Sequence, residues 1–298
     1  MIQLDANITL VPTYADADAK VRAGVDSGTI AVADDAHRQE ALAVASSGLR
    51  EGRGPLPLSP YDCGKRCLVV IPTYNERENL PRIVADVLAY LATDVLIVDD
   101  GSPDGTGAIA DEIAGRDARV RVLHRAGKQG LGTAYIAGFR DAIARGYERV
   151  FEMDADFSHP PWDLPRLAMA SLRADLVIGS RYVAGGSTVG WDFKRRLLSR
   201  SANLYARTIL GTRVRDMTAG FRCYDVAVLS RLDLDRVAAQ GYAFQIEMVF
   251  RMARIRARIV EVPIHFVDRR VGQSKMDGGV AKEALLLIPR LRFRVPRA

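Results

Sequence analysis

Short apolar runs alternate with amphipathic stretches between Arg66 and Ile178. Five runs rich in Val, Leu and Ile predict buried strands at Cys67–Ile71, Asp94–Val98, Val120–Leu123, Arg149–Met153 and Asp175–Ile178. Apolar residues at helical spacing predict helices between them, at Leu80–Leu91, Asp104–Ala114, Leu131–Arg145 and Trp162–Leu172. Strands that alternate with helices favour an α/β fold, with a mostly parallel central sheet and helices on both of its faces.

The first 60 residues lack this alternation. They are rich in Ala and Asp, offer one weak helical stretch at Ala33–Ser46, and end in a Pro- and Gly-rich segment at Gly52–Pro60. Clusters of Pro and Gly are typical of linkers. We therefore expect a flexible N-terminal extension at residues 1–64 and a single domain at residues 65–298.

Unusual polar residues follow three of the predicted strands, where ligands of α/β sheets bind. Pro72, Tyr74 and Glu76 follow the first strand, and an aromatic face beside a carboxylate suits a purine base, although an ordinary loop would look the same. Asp99 and Asp100 follow the second strand. Adjacent carboxylates repel each other unless a ligand or a donor uses them, so this pair indicates contact with a base or a ribose.

Asp154 and Asp156 follow the fourth strand, and in an extended segment their side chains project the same way. Two hard oxygen ligands suit Mg²⁺ or Mn²⁺ carrying a diphosphate. Nearby His159 is interpreted as structural rather than as a ligand. Asp104 is interpreted as a helix N-cap. The Gly-rich stretch at Gly127–Gly132 lacks the spacing of known phosphate loops, so it indicates close packing at least as well as phosphate binding.

Composition and charge narrow the class of protein. Of 298 residues, 48% are hydrophobic and 26% charged, as in soluble globular proteins, and no apolar run approaches the roughly 18 residues that cross a bilayer. Residues 1–60 carry 5 basic and 8 acidic side chains, whereas residues 61–298 carry 37 basic and 28 acidic ones. Residues 61–298 are therefore positively charged overall, and we expect them to bind an anionic partner. The start of the chain lacks a secretory signal, and the three cysteines are predicted to be free thiols in a reducing compartment.

Further motifs complete a recognisable series. The chain contains Pro-x-Tyr-Asn-Glu from Pro72, Asp-Asp-Gly-Ser-x-Asp-Gly-Thr from Asp99, Asp-Ala-Asp from Asp154, and additional segments at Gly179–Gly186, Asp216–Arg222, Gly241–Glu247 and Phe266–Lys275. Over residues 66–290 this series resembles the polyprenol- or dolichol-phosphate mannosyltransferases, inverting glycosyltransferases of family 2 with a GT-A fold. The resemblance implies transfer of mannose from GDP-mannose to polyprenyl phosphate.

The resemblance also implies roles for individual residues. The guanine nucleotide would be bound by Pro72, Tyr74, Glu76, Val98 and Asp100. The sugar nucleotide would contact Asp154, Ala155 and Asp156, with Asp154 and Asp156 holding Mg²⁺ or Mn²⁺. Phosphates would be bound by Arg181, Arg269 and Lys275, with Arg222 as a further candidate. Ser158 stands where the family often has a Gln that binds the metal, so water would bridge from this shorter side chain.

The acceptor chemistry agrees with this assignment. A phosphate monoester has a second pKa near about 6 and is largely dianionic at neutral pH, so it needs no side-chain base, and the sequence offers no obvious one. The reaction does require positive charge, from a divalent ion and from Arg and Lys, to bring two anions together.

A lipid acceptor requires access to a membrane surface. Lys194–Leu210 and the segment from Leu285 to Arg297 combine basic and apolar residues, as in helices that lie at the headgroup boundary, although core helices would show a similar pattern. We expect a peripheral enzyme at the cytoplasmic face of the membrane, with or without a membrane-spanning partner protein. Two alternatives stay open: a related transferase that uses UDP-glucose or another donor, and a non-catalytic module that binds anionic lipid. Nucleic acid is not expected as a partner, because few aromatic residues accompany the basic ones.

Overall fold

The computed structural model describes residues 8–10, 59–237, 239, 241–268 and 288–293. Within them, eight strands form one sheet: β1 (Ile8–Leu10), β2 (Cys67–Thr73), β3 (Asp94–Asp99), β4 (Val120–His124), β5 (Arg149–Glu152), β6 (Leu176–Ser180), β8 (Arg222–Asp225) and β9 (Ile259–Pro263). Their order across the sheet is β1-β9-β6-β8-β5-β2-β3-β4. All neighbouring pairs are parallel except those of β8, which runs antiparallel to both β5 and β6. The predicted mostly parallel sheet is confirmed.

Helices cover both faces of this sheet. They are α1 (Leu80–Tyr90), α2 (Thr106–Arg116), α3 (Leu131–Ala144), α4 (Leu164–Ser171), α5 (Phe193–Leu210), α6 (Val226–Leu229) and α7 (Gly241–Arg254), with short 3-10 helices at Pro161–Asp163 and Leu234–Arg236 and a further helical stretch at residues 288–293. Successive side chains of β2 enter different cores: Leu68 and Val70 pack with α3, α5 and α7, whereas Val69 and Ile71 pack with α1, α2 and α4. A strand buried on both faces must be apolar throughout, which is why its sequence reads as a continuous apolar run.

One predicted helix start differs in detail. Helix α2 begins at Thr106 rather than at Asp104, because Gly105 adopts a left-handed φ of 89°. The Asp104 carboxylate nevertheless accepts hydrogen bonds from the N–H and the hydroxyl of Thr106, at 3.0 and 2.6 Å. Helix α1 begins at Leu80 as predicted, and the side-chain amide of Asn79 before it donates to Glu76 Oε2 at 2.9 Å.

The edges of the fold include elements that the sequence pattern did not predict. Residues 8–10 pair with Ile259–Glu261 of β9. Strands β7 (Ser187–Val189) and β10 (His265–Val267) form a separate parallel pair. The weak helical stretch at Ala33–Ser46 lies outside the described residues. Among the described helices, none combines the length and the apolar character needed to cross a membrane.

Candidate active site

Three loops meet at the carboxyl ends of β5, β2 and β3, which lie side by side in the sheet. Thr73 at the end of β2 pairs with Asp99 at the end of β3, and Val70 of β2 pairs with Glu152 at the end of β5. Parallel neighbours end on the same edge, so the polar residues that follow these strands lie together.

The loop after β2 contributes an aromatic face and a carboxylate. Tyr74 is half-buried, and the Lys128 ammonium lies 4.9 Å from the centroid of its ring. Glu76 is also half-buried, and its backbone N–H donates to Thr106 Oγ1 at 3.0 Å. Pro72 is half-buried, whereas the Val98 side chain is enclosed in the core. Only the backbone of Val98 is therefore suited to contact a ligand.

The two adjacent carboxylates after β3 have separate donors. Asp99 accepts hydrogen bonds from the hydroxyls of Thr73 and Ser102, at 3.1 and 2.6 Å. Asp100 forms a bidentate pair with Arg125, at 2.6 and 2.9 Å, and accepts the backbone N–H of Gln129 at 3.3 Å. Their mutual repulsion is thus offset without a ligand, and Asp100 fastens the Gly-rich stretch to the end of β3. Arg125 was not identified from the sequence.

The carboxylates after β5 are held in different ways. Asp154 Oδ1 accepts the Tyr135 hydroxyl at 3.0 Å, and the Asp154 backbone N–H donates to His159 Nδ1 at 3.1 Å. Asp156 Oδ1 accepts the N–H and the hydroxyl of Ser158, at 3.0 and 2.6 Å. The intervening Phe157 has a left-handed φ of 61°, which turns the chain so that Ser158 faces back onto Asp156. The Ser158 hydroxyl therefore supports Asp156 directly.

The donor set at this loop suits a hard divalent cation. Asp154 and Asp156 supply carboxylate oxygens, the ligand type that Mg²⁺ and Mn²⁺ prefer. In the part of the chain that the structure describes, no cluster of three or more His, Cys, Asp or Glu side chains is placed to hold a metal ion. A cation held by two carboxylates would complete its coordination with substrate phosphate oxygens and water.

Arg181, just beyond β6, forms a buried ion pair. Its Nε and Nη2 donate to the carboxylate of Asp216 at 2.7 and 2.6 Å, and Nη2 also donates to Thr218 Oγ1 at 2.7 Å. Burial alone would raise the pKa of Asp216, but the Arg181 guanidinium lowers it below its usual value. The rings of Trp191 and Phe266 each lie 5.4 Å from the guanidinium carbon. The cation predicted to bind phosphate is thus already oriented by the protein.

The remaining predicted cations are placed differently. Arg222 is fully buried and donates to the backbone oxygens of Met217, Ala219 and Gln245, so its role is structural rather than phosphate binding. Arg269 and Lys275 lie outside the described residues.

A buried carboxylate beneath the site was missed by sequence reasoning. Glu152 ends β5 and accepts the Tyr224 hydroxyl at 3.1 Å. Burial raises the pKa of Glu152 to about 7, while Arg222, Gln245 and Tyr224 act in the opposite direction. Gln245 lies in the Gly241–Glu247 motif and Arg222 in the Asp216–Arg222 motif, and these two motifs were the sequence signals for this cluster.

Comparison with known proteins identifies the family. The model of glycosyl transferase family 2 matches residues 68–237. The chain is 52% identical over 226 residues to an undecaprenyl-phosphate mannosyltransferase of Micrococcus luteus, covering 76% of this chain and 93% of that protein. It is 49% identical over 252 residues to a polyprenol monophosphomannose synthase of Mycolicibacterium smegmatis, covering 83% and 94%.

A solved structure of the same fold is more distant in sequence. Glucosyl-3-phosphoglycerate synthase of Mycobacterium tuberculosis, in complex with Mn²⁺, UDP-glucose and phosphoglyceric acid, superposes with a TM-score of 0.57 at 20% identity, covering 78% of this chain and 81% of that one. This likeness confirms the predicted GT-A type of α/β fold. Since the family model matches more than half of the chain, and both mannosyltransferases align over most of it, the chain belongs to glycosyl transferase family 2.

Proposed function

We propose that this protein transfers mannose from GDP-mannose to polyprenyl phosphate, with inversion, giving polyprenyl phosphomannose and GDP. The observation that carries the proposal is the similarity to two enzymes, each aligned over more than nine-tenths of its length. One is named undecaprenyl-phosphate mannosyltransferase and is 52% identical to this chain, and the other is named polyprenol monophosphomannose synthase and is 49% identical. An α/β sheet with paired carboxylates at the ends of its central strands suits a sugar nucleotide.

The donor would lie across the three loops. Tyr74 and Glu76 would contact the guanine, with Pro72, Val98 and Asp100 completing the nucleotide site. Asp154, Ala155 and Asp156 would face the sugar diphosphate. Asp154 and Asp156 would hold Mg²⁺ or Mn²⁺, and this cation would offset the charge of the departing diphosphate. The complex of the M. tuberculosis neighbour with Mn²⁺ supports a divalent cation in this fold.

The acceptor phosphate would act as the nucleophile without a side-chain base, since it is largely dianionic at neutral pH. What the protein must supply is donors and positive charge. The Arg181–Asp216 pair offers oriented N–H donors but little net charge, because the two side chains offset each other. In this proposal the surplus positive charge for the phosphates of donor and acceptor comes from Arg269 and Lys275. Loss of either side chain should therefore lower kcat more than it weakens GDP binding.

A transfer assay tests the function. Purified protein is incubated with labelled GDP-mannose or UDP-glucose, Mn²⁺ or Mg²⁺, and short or long polyprenyl phosphates, with polyprenol lacking the phosphate as a control. We expect labelled lipid only with GDP-mannose and a phosphorylated acceptor. Labelled lipid only with UDP-glucose would favour the related transferase, and lipid binding with no transfer from either donor would favour a non-catalytic module.

Peripheral attachment at the cytoplasmic face of the membrane completes the proposal. Phe193, Leu197 and Leu204 recur at helical spacing along α5 and are 54% to 71% exposed. They lie on a different face of the helix from Asn203, Ala206 and Leu210, which point to the core. Lys194, Arg196 and Arg200 flank them. Apolar side chains bordered by cations are typical of helices that lie in the headgroup region of anionic bilayers.

Removing this apolar stripe should weaken vesicle binding. The double substitution Phe193→Ser and Leu197→Ser should lower partitioning onto vesicles of phosphatidylglycerol and phosphatidylcholine by about tenfold or more, because each buried apolar side chain contributes about 1.5–3 kcal/mol. Transfer to a short, water-soluble acceptor should stay near the wild-type rate. The matched control is Met169→Ser with Leu172→Ser, two exposed apolar residues at the end of α4, on the opposite face of the sheet. If the wild type and both double variants sedimented with the vesicles to the same extent, α5 would not be the membrane-binding surface.

A further inference from the structure

Asp154 is held at two points, by a residue of helix α3 and by a residue of its own loop. Tyr135 of α3 donates its hydroxyl to Asp154 Oδ1 at 3.0 Å, and His159 Nδ1 accepts the Asp154 backbone N–H at 3.1 Å. The first contact acts on the carboxylate and the second on the backbone that carries it. The Asp154 side chain remains 27% exposed, so the carboxylate still reaches the surface of the site.

The Tyr135 ring is fixed by its surroundings. It is fully buried and stacks on Phe244 and Phe139, with centroids at 6.1 and 6.4 Å. Helix α3 approaches the sheet closely at Gly138, one turn further on, where an added Cβ would lie 2.5 Å from Val70 Cγ1. This approach of the helix brings the phenol within reach of the carboxylate at the end of β5.

The His159 ring is equally constrained. It is 2% exposed, stacks on Phe221 with centroids at 5.2 Å, and meets the edge of Phe266 at 5.7 Å. Because Nδ1 accepts a hydrogen bond from a backbone N–H, it carries no proton in this arrangement. His159 therefore serves as an acceptor for the backbone of Asp154.

We propose that Tyr135 and His159 are positioning residues that fix the orientation of the Asp154 carboxylate toward the divalent cation and the donor diphosphate. The inference rests on the proposed function, in which Asp154 takes part in holding both. Substitution of a residue that orients a metal-binding side chain typically lowers the metal affinity or the activity by about 10- to 100-fold. A residue that only fills the core would change stability without changing the dependence on the cation.

The test for Tyr135 is the substitution Tyr135→Phe, which keeps the stacked ring and removes the hydroxyl. Binding of GDP is measured by calorimetry over a range of Mn²⁺ concentrations, without acceptor, beside transfer kinetics and the melting temperature. We expect the Mn²⁺ concentration for half-maximal GDP binding to rise about tenfold or more. The matched control is Tyr147→Phe, a buried tyrosine whose hydroxyl donates to Asp94, away from the site. It should lower the melting temperature by a similar amount and leave the Mn²⁺ dependence unchanged.

A conservative pair tests His159. An Asn side-chain oxygen can take the place of Nδ1 as the acceptor, whereas Phe keeps the ring stacking and offers no acceptor. We therefore expect His159→Asn to keep a Mn²⁺ dependence close to that of the wild type, and His159→Phe to shift it as Tyr135→Phe does.

These outcomes separate the inference from the function. The positioning role would be overturned if Tyr135→Phe and His159→Phe both showed the same Mn²⁺ dependence of GDP binding as the wild type. It would also be overturned if GDP binding by the wild-type protein did not depend on Mn²⁺. Wild-type protein that binds GDP with Mn²⁺ and transfers no mannose would overturn the proposed function alone, since the binding measurement on the variants needs no acceptor.

Discussion

Asp156→Asn should lower the rate of mannose transfer by about 10³-fold, because the charge that a bound cation contributes to the transition state is worth several kcal/mol. The substitution preserves shape. The amide oxygen can still accept the N–H and the hydroxyl of Ser158, which now bond to Asp156 Oδ1. The melting temperature should consequently stay near that of the wild type, and the loss should appear in kcat.

Two controls sharpen this result. Asp117→Asn removes a carboxylate at the end of α2, where Asp117 bonds to its neighbour Arg119, and it should leave transfer unchanged. Chelation of divalent ions by EDTA should stop the wild type, and added Mn²⁺ or Mg²⁺ should restore it. Full wild-type transfer in EDTA would show that the two carboxylates serve another purpose.

Arg181→Ala should lower the free energy of unfolding by about 3–5 kcal/mol, the usual loss when one partner of a buried ion pair is removed. The Arg181 and Asp216 side chains are 4% and 0% exposed, so the remaining carboxylate would be buried without its charged partner. Urea denaturation at neutral pH measures the loss. In the double variant Arg181→Met with Asp216→Asn, the loss should be smaller than the sum of the single losses, because both charges are removed together.

The surface pair of Arg116 and Glu112 provides the comparison. Their side chains are 75% and 57% exposed, and Arg116→Ala should leave the unfolding free energy nearly unchanged. A similar small effect for Arg181→Ala would mean that Asp216 finds other donors or is protonated in the variant. Transfer by any folded Arg181→Ala protein then reports separately on the proposed contact of Arg181 with phosphate.

Strands β2 to β6 could be predicted from the sequence because the sheet is covered on both faces, whereas β1, β8 and β9 of the same sheet were not predicted. Strands such as β2 and β3 must then be apolar at nearly every position, and their bounds follow from the ends of the apolar runs. Strand β8 escaped prediction because it begins with Arg222 and ends with Asp225. Arg222 can be buried because backbone carbonyl oxygens of Met217, Ala219 and Gln245 accept its N–H groups. The hydrophobic pattern of the strand itself does not indicate these partners.

The candidate site divides in the same way. The positions of Asp154 and Asp156 follow from the end of an apolar run, so the sequence alone indicated them. Their supporting contacts depend on the fold: Tyr135 sits at a helical position typical of a core aromatic, and nothing in its spacing signals a bond to Asp154. Arg125 and Asp216 are likewise paired with residues 25 and 35 positions away.

The central place of β5 has a consequence for how the protein folds. Neither neighbour of β5 is close to it in the chain: Arg149 pairs with Cys67 of β2 on one side and with Asp225 of β8 on the other. Pairings between distant segments form slowly, because the entropy of closing long loops must be overcome first. The strand that leads into Asp154 and Asp156 is thus ordered only once both halves of the domain have come together. Recovery of nucleotide binding during refolding should therefore lag behind the recovery of helical structure.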